Sequence, residues 1–133
     1  MSPALQQIRS NAAWVADNFG KQSGIDPFAH TAASIHYLDE FLDRQAAMVT
    51  ASEASVNKFV SLLGAYLGEC IIANYGGEWQ ESPQGIAIAV KTDTHHHILQ
   101  PFHKVYKRIT NGTEDSLGFY FEEFIPQVLA QGE

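Results

Sequence analysis

Apolar residues crowd every face of residues 59–79, FVSLLGAYLGECIIANYGGEW. Val60, Leu63, Leu67, Cys70 and Ile71 form one helical stripe, and Leu62, Ala65, Tyr66, Ile72 and Ala73 fill the turns between them. No polar stripe remains to face water, which predicts a buried central helix. Thr50 and Glu53 have the spacing of a capping box, so the helix is expected to start near Ala51. Tyr75-Gly76-Gly77 ends it near Asn74, because glycine takes the left-handed conformations that a helix stop needs. Two glycines and an acid interrupt the apolar run, which falls short of the ~20 residues that span a bilayer, so a core helix is favoured over a membrane helix.

Upstream, Leu5, Ile8, Ala12, Val15 and Phe19 recur in steps of three and four behind Ser2-Pro3, and Gly20 offers a stop. This predicts an amphipathic helix over residues 3–19, with Trp14 beside its stripe. Residues 20–30, GKQSGIDPFAH, hold two glycines and a proline and no sustained period, so they read as a loop with one turn after Asp26-Pro27. Ile35, Leu38, Leu42, Gln45 and Val49, widened by Phe41 and Met48, predict a second helix over residues 32–48. Glu40 and Arg44 are spaced to pair on its wet face.

Beyond Trp79 the period changes. Ser82-Pro83-Gln84-Gly85 is turn chemistry, Ile86 to Val90 alternates large and small apolar residues as a strand does, and His95 to Leu99 reads as the returning strand, with residues 78–81 a third. Pro101 opens a helix expected to turn Phe102, Val105, Tyr106 and Ile109 inward and Lys104, Lys107 and Arg108 outward, stopped by Asn111-Gly112. Thr113 or Asp115 caps a last helix holding Leu117, Phe121, Phe124 and Ile125, which Pro126 should bend or interrupt. Helices, then strands, then helices make an α+β domain: about five helices around a buried central helix, with a small two- or three-stranded antiparallel sheet. Residues 1–133 form one domain, with 1–50 an N-terminal helical cap, 51–112 the central helix, hairpin and following helix, and 113–133 the C-terminal helix.

Composition narrows the function classes. A chain of 133 residues, 45% hydrophobic, builds one core. Its formal net charge of −7, from 15 acids against 8 bases, gives no general drive towards nucleic acid or an anionic membrane. Cys70 is the only cysteine, so no intrachain disulfide forms, and MSPALQQIRS lacks the basic region and apolar run of a secretory signal. A cytoplasmic location is expected.

The chemistry concentrates in a few places. Glu69 is a lone acid on the apolar helix; deep burial would be costly unless it is paired, hydrogen-bonded or protonated. Arg108, Lys104, Tyr66 or a histidine are its candidate partners. Gly64 and Gly68, four apart, share a face where another backbone can approach closely. Gly76-Gly77 bends the chain into Glu78 and Trp79, and Trp79 beside Tyr75 makes an aromatic contact patch if exposed. On a strand, His95 and His97 point one way and His96 the other, so two imidazoles could share a divalent metal such as zinc. Two ligands are not a site: His103, Asp93 or Glu69 would have to converge with them. Lys104, Lys107 and Arg108 make a compact basic group able to grip an anion or an acidic partner. No H-E-x-x-H, paired CxxC, Walker loop or G-x-S-x-G is present.

The second half resembles a family of small, uncharacterised bacterial domains. The resemblance lies in G-A-Y-L-G-E at Gly64 to Glu69, in Gly77-Glu78-Trp79, in a glycine-bearing hairpin, and in P-F-H-K-V-Y-K-R-I at Pro101 to Ile109 followed by Asn111-Gly112. It covers residues 56–112 and implies a small α+β domain of bacterial or phage origin, with no reaction, cofactor or catalytic residue attached.

The expected function is a non-enzymatic module that binds another protein, of the immunity or regulatory kind, with no cofactor. Tyr75, Trp79, Glu69, Lys104 and Arg108 are its candidate binding residues. The alternatives are a small metal-assisted hydrolase built on His95, His97 and a carboxylate, and a small domain binding an anionic ligand through Lys104 and Arg108.

Overall fold

The computed structural model describes residues 2–131. Helix α1 runs Pro3–Ser23, α2 Ala32–Arg44, α3 Ala46–Val49 and α4 Glu53–Tyr75. Strands β1 (Glu78–Ser82), β2 (Gly85–Lys91) and β3 (His96–Leu99) follow, then α5 (Pro101–Asn111). A 3₁₀ turn at Gly112–Asp115, α6 (Leu117–Phe119), a π-helical turn at Tyr120–Phe124 and α7 (Ile125–Ala130) complete the described chain. The fold is α+β, mostly helical.

Helix α4 is the interior element. Leu63, Ala65, Leu67, Cys70 and Ile71 have no solvent exposure, and α1 and α5 both pack against the helix. By length and composition α4 could cross a membrane, but half of its most apolar window is buried within this fold. The sheet lies beside it in the order β1-β2-β3, both pairs antiparallel. Trp79, Ile88 and Leu99 stand across from one another in this register and face the core, where Ile88 is fully buried.

Several boundaries differ from the expected ones, each for a local reason. Gly20 does not stop α1; the helix continues one turn to Gly24, whose φ of 74° provides the left-handed cap. A Cβ at Gly20 would make only an ordinary contact with Phe28, at 3.4 Å, so nothing there interrupts the helix. Thr50 does not cap α4: its hydroxyl bonds back to Ala46 O at 2.7 Å, and Ser52 accepts from Ser55 N at 3.0 Å. The second helix breaks at Gln45, which leaves helical geometry with φ −108° and ψ 20°. On α5 the inward face is rotated: Arg108 is buried at 3% exposure while Tyr106 is 47% exposed.

The C-terminal helix starts later than Thr113 or Asp115. Ser116 accepts from Phe119 N at 3.2 Å, and Asp39 of α2 reaches across to accept from Leu117 N and Gly118 N, both at 2.9 Å. Pro126 does not break the helix. Just before it the chain widens into the π turn, in which Ile125 N–H bonds to Tyr120 O five residues back. Phe121 stays buried, but Phe124 is 40% exposed.

Candidate functional site

The two glycines of α4 are seats for aromatic rings. A Cβ on Gly64 would lie 2.4 Å from Phe102 Cδ1, and one on Gly68 only 2.1 Å from Trp79 Cη2. The Trp79 and Phe102 rings meet above them, 5.7 Å between centroids. Seated this way, the indole edge reaches the next residue of α4, and Trp79 Nε1 donates to Glu69 Oε2 at 3.0 Å. Glu69 is thus half-buried rather than sunk in the core, and its partner is an indole instead of the cation, phenol or imidazole expected from the sequence. Among the described residues, Oε1 of Glu69 accepts no hydrogen bond.

Glu69 opens into a cleft of about 440 Å³ between α1, the loop before α2, the C-terminal end of α4 and β1. Arg9, His30, Glu78 and Trp79 share its wall with Glu69, and Leu5 and Ile72 supply apolar surface. A hollow of about 240 Å³ adjoins it, sharing Arg9, His30 and Glu69 and floored by Ala12, Ala13, Ala16 and Tyr66. Arg9 forms no ion pair among the described residues, although Glu69 and Glu78 line the same cleft.

His30 is held in place through its backbone. The Tyr66 hydroxyl accepts from His30 N at 3.2 Å and lies 2.7 Å from Ser34 Oγ and 3.1 Å from Phe28 O, the two acceptors for its single proton. Asn74 Nδ2 donates to His30 O at 3.0 Å. The left-handed φ of 63° at His30 is fixed by these contacts. Burial raises the pKa of Tyr66, and burial pushes the neighbouring Cys70 thiol up to about 12, so both stay neutral beneath the cleft.

The other expected site residues lie elsewhere. Tyr75 does not form a patch with Trp79: its hydroxyl donates to Phe121 O at 2.5 Å and its ring packs on Phe121. Arg108, expected to face outward and hold an anion or Glu69, is buried. Its Nε donates to Asp39 Oδ1 at 2.9 Å, and its Nη2 to Asp43 Oδ1 at 2.6 Å and to Asp39 O at 3.1 Å. Burial opposes its charge, but the hydrogen bonds with Asp43 and Asp39 outweigh that and raise its pKa. Lys104 is paired with Asp115 at 3.1 Å and lies over the Tyr120 ring, while Lys107 approaches the same carboxylate at 3.7 Å. The basic group is therefore neutralised from within.

His95 and His97 stand as paired rings, 6.1 Å apart and 25° from parallel. His97 Nε2 is buried with no hydrogen-bond partner among the described residues. No third His, Cys, Asp or Glu converges on them, and no group of three such side chains able to hold a metal occurs among the described residues.

Arg9, His30 and Asp39 carry weight that the sequence reading missed. Arg9 follows Ile8 on α1 and looks like any solvated position, and His30 sits in a loop whose path depends on Tyr66 and Asn74, so neither has a local signature. Comparison of the chain with protein-family models, curated proteins and solved structures gives no match.

Proposed function

We propose that this protein is a non-enzymatic, cytoplasmic binding module of bacterial type that takes a protein partner on the outer face of its sheet, in an immunity or regulatory role. One observation carries this reading. In a chain of net charge −7, the outer face of the sheet forms an uncharged trough of about 300 Å³, lined by Gln80, Ser82, Ala87, Ile98 and Gln100. Ile98 is 53% exposed there, a large apolar side chain on a small hairpin. β1 and β3 are the two edges of the sheet, and an edge strand is where a partner can add a strand of its own through backbone hydrogen bonds, beside the trough. This surface belongs to the hairpin, with Ile98 rather than Tyr75 and Trp79 at its centre.

Ile98→Asp tests it directly, because Ile98 is exposed and the substitution leaves the core intact. Wild-type protein used as bait in a bacterial lysate should retain a partner, identified by mass spectrometry, that Ile98→Asp loses while its circular dichroism stays unchanged. Retention of the same partner by both proteins would contradict the assignment of this face.

A further inference from the structure

The cleft beside Glu69 is on a different surface from the trough and poses a separate question: why does an acidic protein hold an arginine and a carboxylate in one cleft without pairing them? Arg9 has no ion-pair partner among the described residues, and one oxygen of Glu69 accepts no hydrogen bond from them. Both groups sit on helices, and Glu69 is further fixed by the Trp79 indole, so the arrangement is built rather than left to flexible side chains. The volume of about 440 Å³ is that of a small-molecule site.

We propose that this cleft binds a small zwitterion, an α-amino acid with an apolar side chain. Its carboxylate lies against Arg9 and the His30 ring, its ammonium against Glu69, and its side chain in the adjoining hollow floored by Ala12, Ala13, Ala16 and Tyr66. Charge selects this class. A simple anion would meet Glu69 and Glu78 in the same cleft, and a simple cation would meet Arg9; only a ligand with both charges satisfies both groups. Arginine offers a planar fork matched to a carboxylate, and Glu69 accepts from an ammonium while keeping the indole bond on its other oxygen. The alanines give the hollow an apolar floor away from Arg9 and Glu69, which suits an aliphatic side chain.

Trp79 lines the cleft and reports its occupancy. In a Trp14→Phe background, where Trp79 is the remaining tryptophan, L-leucine is titrated against emission, alongside N-acetyl-L-leucine, which lacks the ammonium, and L-leucinamide, which lacks the carboxylate. Saturable binding of leucine is expected, weakened by roughly tenfold or more for each blocked form, for Arg9→Gln and for Glu69→Gln, which keeps an acceptor for the indole. Leucyl-glycine binding more tightly than leucine, with the same losses in both variants, would assign the zwitterion to a short peptide and still support the site. No saturable change with leucine or the dipeptide up to about 10 mM, blocked forms that bind as well as leucine, or variants that bind as well as wild type would each overturn it.

Discussion

Gly64 and Gly68 act through what they lack: each leaves room on α4 for a ring that any side chain would displace. Their spacing was readable as a place of close approach. The occupants were not, because Phe102 and Trp79 arrive from α5 and β1, and nothing in the local pattern of either segment points to a glycine on another element. Cys70, beneath the same cleft, gives a prediction with a defined sign. An unfolded thiol ionises near pH ~8.5, whereas burial holds the folded one protonated to about 12. A group whose pKa is raised by folding stabilises the protein below its unfolded value, and that contribution is lost as pH rises towards the folded value. Stability measured by urea unfolding should therefore fall from about pH 8.5 upward. Cys70→Ala should delay the onset towards pH ~10, where Tyr66 and Tyr120, both raised by burial, begin to act. An identical onset in the variant would show that the thiol takes no part.

At the scale of elements, Asp39 joins three segments. From α2 it holds the buried Arg108 of α5 and caps α6 through Leu117 N, Gly118 N and Ser116 Oγ. Asp43 makes the shorter bond to Arg108, 2.6 Å, but its side chain is 53% exposed, against 15% for Asp39. Burial, not length, should set the cost. Asp39→Ala leaves a buried guanidinium short of its partner and is expected to lose about 3–5 kcal/mol, while Asp43→Ala loses about 1 kcal/mol or less. Equal losses in urea unfolding would contradict this account of the junction. Helix positions were largely legible in the sequence because the periods of Ile8, Val15 and Phe19 on α1 and of Ile35, Leu38 and Leu42 on α2 are regular. The joints were less so. Ser52, Ser116 and Gly24 cap where Thr50, Thr113 and Gly20 are expected to, since several residues near each terminus suit a cap and backbone geometry selects among them. The charge of Arg108 points outward, but its position three beyond Val105 puts it on the buried stripe.

At the scale of the whole molecule, an apolar helix sits at the centre, and Glu69, the acid within its apolar run, marks where the interior meets a cleft. The centrality of α4 was legible, because a helix apolar on all faces has to be surrounded. The cleft was not, because its walls come from α1, a loop, α4 and β1 and exist only once these pack together. The account rests on Glu69 being held at that boundary by the Trp79 indole, and the indole N–H resonances of Trp14 and Trp79 in a proton–nitrogen correlation spectrum report this directly. The Trp79 indole proton should exchange slowly with water, and Glu69→Ala should shift it and speed its exchange while the Trp14 signal stays put. A Trp79 indole that exchanges as freely as Trp14 and ignores the loss of the Glu69 carboxylate would contradict the account.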